Sequence, residues 1–358
     1  MKVLYAIQAT GNGHISRATE IIPLLKKKCD LDILISGTEA EVDLDHEIKY
    51  RTKGLCYVFG KKGGIDFYAT FKKMQSKRFL KEIKNIPVEE YDLVINDFEP
   101  VTAWACRIKD VPCISMSHQY GVIHPNAPRP AKYDPIASMI LKHYAPCKYG
   151  VGFHFKSYGK EVFTPVIRKE IRNAEIKNLG HYTIYLPAYD EKKLIDFFST
   201  FKNTEWHIFS KHTKKSFTEK NCIIKPVNGA EFAKSFTTCE GIVCGGGFET
   251  PAEALYMGKK LLVIPMKNQY EQHCNAAGAT ELGVPVIKSL KKKHIAEVEH
   301  WLSNGEFIKV DYKDETDKII DIVLSHPSIK KVVQFKNTTI EKRKQPVSIF
   351  ASIFSFLF

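Results

Sequence analysis

Short apolar stretches alternate with longer amphipathic stretches along most of the chain. The short stretches are rich in Val, Ile, Leu and Phe, and each ends near Gly, Pro, Ser or a polar turn, as buried strands of a parallel sheet do. The longer stretches carry apolar residues at helical spacing. This alternation is typical of βα units around parallel sheets, and it predicts an α/β fold.

The predicted elements form two sets with the same rhythm. The strands of the first half are Val3–Ala9, Asp32–Ser36, Leu93–Asn96 and Cys113–Ser117, and those of the second half are Tyr182–Leu186, Trp206–Phe209, Gly241–Cys244 and Lys260–Pro265. Predicted helices include Arg17–Lys28, Lys192–Phe201, Glu249–Met257, Glu271–Leu282 and Glu315–Ser325. Because such sheets bind ligands beyond the carboxyl ends of their strands, we expect a cleft between two doubly wound sheets.

The length of 358 residues exceeds what one hydrophobic core usually covers and suits two domains. The stretch from Lys148 to Asn178 mixes glycine, proline and charge without sustained periodicity, and the βα rhythm restarts at His181. We predict an N-terminal domain over residues 1–165, a C-terminal domain over 176–312, a helical segment over 313–329 that crosses back, and a tail over 330–358.

Composition excludes wholesale disorder, since the chain is 44% hydrophobic and 26% charged. The net charge of +13 suits an anionic partner, but the lysine clusters lack interleaved aromatic residues, so nucleic acid is not the expected partner. Nine cysteines form neither C-x-x-C pairs nor a zinc spacing, which indicates reduced thiols and no metal site. No segment reaches the roughly 20 apolar residues of a membrane span. We expect a cytoplasmic protein.

The C-terminal tail has a composition of its own. A basic run, Lys342-Arg343-Lys344, precedes the apolar stretch Val347–Phe358. This stretch is too short to span a bilayer but suits peripheral contact with the anionic inner face of a membrane. A segment packed on its own domain, or a disordered end, is the alternative interpretation.

A first glycine loop, Gly11-Asn12-Gly13-His14, directly follows the first strand and precedes a helix. Glycines at such a point let backbone amides approach a substrate or an anion. The pattern is G-x-G-H rather than G-x-G-x-x-G, because Ser16 stands where the third glycine would be. No acidic residue suited to a ribose ends the second strand, so a dehydrogenase is disfavoured. A tight turn without a ligand remains the alternative.

A second glycine loop, Gly245-Gly246-Gly247, ends a strand and opens a helix through Phe248, Glu249 and Thr250. Three glycines remove side chains from the turn, so that amides and the positive helix end can hold a diphosphate. Glu253 lies one helical turn beyond Glu249 and suits a ribose diol, unless it is a solvated helix residue.

Polar residues are crowded after the next strand, from Met266 to Asn275. Gln269, Glu271, Gln272 and Asn275 stand at the mouth of a strand and the start of a helix, where they suit the hydroxyl groups of a sugar. Helix capping is the competing interpretation.

Two further strand ends of the first half carry titratable residues. Asp97 and Glu99 follow one strand, and His118 follows the next. All three are expected beside the first glycine loop, where Asp97 or Glu99 could orient His14 or bind acceptor hydroxyls, and His118 is a second candidate base. Each alone is more often structural.

The run Gly245–Ala276 resembles the donor-binding motif of GT-B glycosyltransferases, the superfamily of MurG-type enzymes and UDP-glycosyltransferases. Within it the chain is most similar to a bacterial and archaeal branch whose first loop also reads G-x-G-H. The resemblance covers both halves and implies two Rossmann-like domains facing across a cleft. It also implies that Gly246 and Gly247 lie against the diphosphate, that Glu253 holds the ribose, and that Glu271 and Gln272 contact the donor sugar.

In related transferases the histidine matching His14 is a candidate base for the acceptor hydroxyl, a task that the pKa of histidine suits. The resemblance therefore implies metal-independent, inverting transfer from a nucleotide-diphospho-sugar, UDP-sugar being the commonest donor, to a cell-envelope glycan or a lipid-linked acceptor, with no cofactor. The first loop is shorter than the G-G-T-G-G-H loop of MurG-like enzymes, which argues against a muropeptide acceptor. A nucleotide-sugar 2-epimerase or hydrolase, and a non-catalytic nucleotide-sugar-binding subunit, remain alternatives.

Overall fold

A computed structural model describes residues 1–9, 11–37, 44–55, 59–60, 64–65, 76–327 and 329. The predicted basic and apolar tail, residues 330–358, lies outside these residues. Within them the chain forms two separate parallel-rich sheets with helices between successive strands, as the alternating pattern predicts.

The first sheet contains seven strands in the order β3-β2-β1-β6-β7-β8-β9, and every neighbouring pair is parallel. The strands of the first half are β1 (Lys2–Gln8), β2 (Asp30–Ser36), β3 (Tyr50–Thr52), β4 (Phe59–Gly60), β5 (Gly64–Ile65), β6 (Leu93–Asp97), β7 (Cys113–Ser117), β8 (Tyr149–Phe153) and β9 (Val162–Phe163). Strands β4 and β5 form a small antiparallel pair of their own.

The helices of this half connect the strands. They are α1 (Asn12–Lys28), α2 (Ser76–Asn85), α3 (Pro100–Lys109), α4 (His118–Ile123), α5 (Pro135–Tyr144) and α6 (Lys169–Arg172), with a short 3-10 helix at Val88–Glu90. Helix α1 begins five residues before the predicted Arg17, directly after its N-cap Gly11. His14 consequently lies in the first turn of a helix rather than in a loop.

The second sheet contains six strands in the order β12-β13-β11-β10-β14-β15, parallel except for the β12–β13 pair. The strands are β10 (Tyr182–Tyr185), β11 (Trp206–Ser210), β12 (Phe217–Glu219), β13 (Cys222–Pro226), β14 (Gly241–Cys244) and β15 (Lys260–Val263). The helices are α7 (Glu191–Phe198), α8 (Gly229–Thr238), α9 (Glu249–Met257), α10 (Tyr270–Thr280), α11 (Ile295–Asn304) and α12 (Thr316–Leu324), with a 3-10 helix at Lys292–His294.

All eight predicted strands are present, with ends displaced by at most two residues. The stretch from Lys148 to Asn178, which lacks sustained periodicity in the sequence, supplies β8 and β9 to the first sheet. Gly152 of β8 packs directly on the backbone of Gly121, so close approach explains the glycines that masked this strand in the sequence.

Helix α12 packs against α1 of the first half, although it follows the second sheet in the chain. Its Ile319, Ile320 and Val323 are buried in the same apolar cluster as Ile21 of α1, and Lys28 pairs with Asp317 and Asp321 at the helix surfaces. Among the residues described, no helix has the length and apolar character needed to cross a membrane.

Candidate active site

The strand order of each sheet reverses at one point, and both points carry a glycine loop. In the first sheet the reversal lies between β1 and β6; Gly11 follows β1, and Asp97 is the last residue of β6. In the second it lies between β10 and β14, which leads into Gly245. Open α/β sheets bind ligands at such reversals.

A cavity of about 230 Å³ lies between the two halves at these strand ends. Its walls include nine of the residues singled out in the sequence: Gly11, Gly13, His14, His118, Gly247, Phe248, Glu249, Gln269 and Glu271. The halves approach closely here, because a Cβ at Gly13 would meet the Glu249 carboxylate at 2.3 Å. The first glycine loop therefore serves a contact across the cleft.

His14 is held by the carboxylate of Asp97, whose Oδ1 lies 2.9 Å from Nδ1 of the imidazole. Arg17 Nη2 also lies near this Nδ1, at 3.1 Å, but the carboxylate is closer and can only accept, so we assign the proton to Nδ1 and the lone pair to Nε2. His14 lines the cavity, whereas Asp97 is fully buried behind it. The pair has the geometry of a general base and the residue that orients it.

Arg17 completes this arrangement, one helical turn after His14 on α1. Its guanidinium contacts both carboxylate oxygens of Asp97, at 2.7 and 2.8 Å. Burial would raise the pKa of Asp97, but the charges and hydrogen bonds of Arg17 and His14 together outweigh burial and hold the pKa below its usual value. The same guanidinium reaches Glu249 Oε1 of the other half at 2.5 Å. Asp97 thus stays ionised, and the site links both halves.

Glu99 is placed differently from its predicted role. Its carboxylate is fully buried and caps α3, accepting hydrogen bonds from the backbone of Val101 and Thr102 at 2.8 and 2.6 Å. It does not line the cavity. Glu99 therefore fixes the start of a helix beside the site, a capping role that the neighbouring Pro100 at the first helical position also indicates.

His118 is a link between the halves rather than an exposed base. Its Nδ1 donates to the carbonyl oxygen of Phe153 at 2.9 Å, and its Nε2 lies 2.8 Å from Asn275 Oδ1. The ring stacks on Phe248 at 3.8 Å. Burial lowers the pKa of His118 to about 3. With the ring buried and neutral, and with Nε2 enclosed beside Asn275, His118 is poorly suited to accept a substrate proton.

The second glycine loop is fixed by the two polar residues predicted to contact a sugar or cap a helix. Gln272 Oε1 accepts from Gly246 N at 3.1 Å and from Met266 N at 2.8 Å. Asn275 donates to Gly246 O at 3.0 Å. A Cβ at Gly246 would meet the Gln272 backbone at 2.6 Å, whereas one at Gly247 would meet no atom within 4 Å. Close packing therefore explains the glycine at 246, whereas Gly247 is surrounded by open space beside the cavity.

Helix α9 begins directly after this loop with no side-chain hydrogen bond at its N-cap, Phe248. Its first amides and positive end are therefore available to an anion. A second cavity of about 110 Å³ adjoins the same loop, within the second half. Its lining is mostly apolar and comprises Tyr185, Leu186, Pro187, Ala188, Tyr189, Cys244, Gly245, Gly247, Thr250, Pro251, Ile264, Met266 and Gln272. Gly247 borders both cavities.

Glu253 is paired with Arg168, a residue of the segment that joins the two sheets. The Arg168 Nε and Nη2 atoms donate to the two carboxylate oxygens at 2.7 and 2.8 Å. Burial would lower the pKa of Arg168, but the hydrogen bond and charge of Glu253, together with nearby Glu170 and Glu20, outweigh burial and raise the pKa. The carboxylate assigned to a ribose by resemblance is therefore covered by a cation of the same chain.

The α10 end of the large cavity carries Gln269 and Glu271. Glu271 Oε1 accepts from Gln119 Nε2 at 3.1 Å, and burial raises the pKa of Glu271. Gln269 is the N-cap of α10, and its Oε1 is buried without a hydrogen-bond partner. Both residues therefore present carboxylate or amide oxygens at the cavity, as recognition of hydroxyl groups requires.

Two residues at the cavity have left-handed backbone conformations that side chains disfavour, Phe98 with φ of 58° and Asn268 with φ of 64°. Phe98 is held by stacking on Tyr144 at 4.7 Å. Strain of this kind persists where the surroundings over-determine it, and it is concentrated at binding sites.

Sequence reasoning missed Arg17, Gln119, Arg168 and Phe98. The spacing of Arg17 from His14, three residues on a helix, was an available signal. Contacts of the other three depend on segments distant in the chain. In the described ranges, no group of three or more His, Cys, Asp or Glu side chains is arranged to hold a metal ion.

Comparison with known proteins gives a family and a fold. The model of the family described as glycosyl transferase family 1 matches residues 1–304. Comparison with curated proteins gives no match. Among solved structures the chain is similar to MurG from Acinetobacter baumannii, with 14% identity over 95% of this chain and 100% of that chain and a TM-score of 0.53.

Two further solved structures share the architecture. The glycotransferase of kitacinnamycin has 13% identity over 94% of this chain and 98% of that chain, with a TM-score of 0.52. UGT89C1 of Arabidopsis thaliana, complexed with UDP, has 10% identity over 99% of this chain and 98% of that chain, with a TM-score of 0.51. At these identities the likeness concerns the fold, and it confirms the expected GT-B arrangement of two Rossmann-like domains.

Proposed function

The chain belongs to glycosyl transferase family 1, and from this we propose that it transfers a sugar from a UDP-sugar to an acceptor hydroxyl with inversion at the anomeric carbon. One observation carries the proposal. The His14–Asp97 pair of the first half faces Gly247 and Glu271 of the second half across a single cavity. A base and a diphosphate-and-sugar site on opposite walls are what direct transfer between two substrates requires.

The donor is assigned to the second half. The diphosphate lies at Gly247 and the uncapped start of α9, where amides and the helix dipole stabilise the charge of the leaving group. The adjoining apolar cavity, with Tyr185 and Tyr189, accommodates the nucleobase. Glu253 holds the ribose once Arg168 has moved from its carboxylate. UDP bound to a protein of the same fold supports uracil as the base.

The reaction forms one bond and breaks another. The acceptor oxygen attacks the anomeric carbon, the bond from this carbon to the diphosphate oxygen breaks, and His14 Nε2 takes the hydroxyl proton. Asp97 holds the imidazole in the required tautomer and stabilises the imidazolium that forms. Glu271 and Gln269 bind hydroxyl groups of the transferred sugar.

An acceptor with an apolar portion suits the wall formed by α5. Ala137, Ile140 and Leu141 of this helix line the cavity. Nearby in the chain, Tyr133 and Ile136 are 55% and 66% exposed. These apolar side chains support a lipid-linked acceptor of the cell envelope, reached from the inner face of a membrane.

A binding screen tests the donor assignment. Purified protein is titrated by calorimetry and thermal shift with UDP, GDP, dTDP, ADP and CMP and their sugar conjugates, with and without magnesium. We expect UDP and one UDP-sugar to stabilise the protein independently of magnesium, by about 2.7 kcal/mol at a hundredfold excess over Kd. Absence of binding to folded protein would overturn the proposal and favour a subunit that needs a partner chain.

Product analysis separates transfer from the other reactions of this fold. With UDP-sugar and octyl glucoside as a soluble acceptor, transfer gives UDP and the octyl glycoside of a disaccharide, whereas hydrolysis gives UDP and free sugar. A 2-epimerase changes the sugar configuration at C2. We expect the disaccharide, with inverted anomeric configuration by NMR.

A further inference from the structure

Gln119 lines the large cavity and contacts residues assigned to both substrates. It is the second residue of α4, whose start is fixed by Ser117, the side chain of which accepts from Tyr120 N at 3.2 Å. The Gln119 side chain lines the cavity, yet the residue is only 4% exposed. A short, capped helix therefore holds this amide rigidly in a desolvated position.

The amide nitrogen of Gln119 bridges the two halves. Nε2 lies 3.1 Å from Glu271 Oε1 of the second half and 3.4 Å from His14 Nε2 of the first. Since Asp97 requires the His14 proton on Nδ1, the His14 Nε2 atom is an acceptor, as is the Glu271 carboxylate. Only the nitrogen of Gln119, with its two N–H groups, can face both. The contacts thus determine the orientation of the amide.

The other end of the amide has no partner. Gln119 Oε1 is buried and makes no hydrogen bond in the structure. A buried acceptor left unpaired costs free energy, and most such groups in folded proteins are paired. An unpaired amide oxygen in a cavity-lining side chain points to a hydrogen-bond donor that arrives with a ligand.

We propose that Gln119 is a positioning and specificity residue for the transfer reaction, an inference that rests on the proposed function. Its N–H groups hold the lone pair of His14 and the carboxylate of Glu271 in register across the cleft. Its Oε1 accepts a hydrogen bond from a hydroxyl group of the bound sugar or acceptor. When the acceptor hydroxyl takes the place of the longer amide contact at His14, the shorter contact to Glu271 keeps the side chain in place.

The test compares two variants of the same size. Gln119→Met removes both donors and the acceptor, and Gln119→Glu presents oxygen atoms to the His14 lone pair and to Glu271. Turnover of UDP-glucose, UDP-galactose and UDP-N-acetylglucosamine with octyl glucoside is followed by released UDP. We expect kcat to fall about 10- to 100-fold in Gln119→Met and further in Gln119→Glu, because the reacting groups lose their alignment. The Kd for UDP, which lacks the sugar, stays within about twofold.

Gln8 provides the matched control. Its Nε2 also makes one side-chain hydrogen bond, to Tyr144 at 3.0 Å, its Oε1 is likewise buried and unpaired, and it does not line the cavity. Gln8→Met should therefore keep kcat within about threefold. Equal loss in both variants would show that the effect is one of packing and would overturn the proposal.

A measurement that does not depend on turnover distinguishes failure of the role of Gln119 from failure of the proposed function. With ¹⁵N-histidine labelling, the His14 Nε2 resonance is identified by its loss in His14→Gln. It should move in Gln119→Met and stay in place in Gln8→Met. A resonance unmoved by Gln119→Met, or unchanged kcat in an enzyme that His14→Ala inactivates, overturns the role of Gln119 alone. Failure of wild-type protein to bind UDP or turn over any donor, with the resonance moving as expected, overturns the proposed function alone.

Discussion

At the scale of single residues, the proposed chemistry depends on which nitrogen of His14 carries the proton. Asp97 at 2.9 Å places it on Nδ1, and Arg17 keeps Asp97 ionised by a buried contact to both of its carboxylate oxygens. The lone pair of Nε2 is thereby directed to the cavity side of the ring, next to Gln119. A histidine without this pair would present either tautomer and would be a weaker base.

Replacement of His14 tests this assignment. We expect His14→Ala to reduce transfer about 10²- to 10⁴-fold, the usual contribution of a general base, while the Kd for UDP changes less than about twofold. Steady-state kinetics and calorimetry measure the two quantities, with His212→Ala, an exposed histidine of the second half, as the control. Full turnover by His14→Ala would show that another group takes the proton.

Sequence patterns located His14, Gly247 and Glu271, since each stands at a strand end or in a motif with local spacing. The same patterns could not locate the partners of Arg17, because the Arg17–Glu249 contact joins residues 232 positions apart. The roles of Glu99 and His118 were also undetermined by spacing. Whether such residues face a cavity, cap a helix or bridge two halves depends on side-chain packing around them.

At the scale of elements, the pair of Arg168 and Glu253 attaches α9 to the segment that joins the two sheets. Glu253 is 3% exposed and Arg168 covers its carboxylate. The Arg168–Glu253 pair has a functional consequence, because the Glu253 carboxylate is also assigned to the ribose of the donor. Donor binding and release of the joining segment should therefore be coupled.

Removal of Arg168 should be costly on its own. Arg168→Met leaves a buried carboxylate unpaired, and we expect the free energy of unfolding to fall by about 3 to 5 kcal/mol. Combining it with Glu253→Gln should recover part of this loss, since no charge then remains buried. Urea denaturation of both single variants and the double variant measures the coupling. Additive losses would show that the two side chains do not act as a pair.

Acid should weaken the second half through His181, which precedes β10 and stacks on His207 at 4.0 Å. Burial, assisted by His207, lowers the pKa of His181 to about 4, against about 6.5 in an unfolded chain. Between these values the unfolded state binds the extra proton, so this contribution to stability is complete above pH 6.5 and lost as pH falls towards 4.

The measurement is urea unfolding at pH 7, 6 and 5. Each such proton contributes about 1.4 kcal/mol per pH unit within its window, so His181→Gln should flatten the decline of unfolding free energy with acid. His118, whose pKa is lowered to about 3, adds a decline of the same sign that remains in this variant. An identical slope in wild type and variant would contradict the assignment.

At the scale of the whole molecule, the two halves are joined by more than the connecting segment. Arg17 and Glu249 meet across the cleft, His118 stacks on Phe248, and α12 returns to pack on α1. The first half therefore depends for part of its core on residues near position 320. A substitution near position 320 should therefore affect the stability of α1, which is distant in sequence but adjacent in space.

Substitutions at two isoleucines of α12 distinguish the effect of lost packing from the effect of altered helix propensity. Ile320 is fully buried in the cluster that contains α1, whereas Ile322 is 38% exposed. Ile320→Ala should cost about 2 to 5 kcal/mol of unfolding free energy and speed amide exchange in α1, while Ile322→Ala should cost less than about 1 kcal/mol. Hydrogen exchange with mass spectrometry reports on α1 directly. Equal effects of the two substitutions would exclude the packing explanation.

The sequence was sufficient for the fold class, eight of the strands and the location of both glycine loops, because these depend on hydrophobic periodicity and on residues close together in the chain. Tertiary structure was needed to show that α1 starts early enough to carry His14, that Glu99 is a cap, that His118 is neutral and enclosed, and that Arg168 covers Glu253. Each of these outcomes depends on which distant side chains meet and on how much water they exclude, and local spacing contains neither quantity.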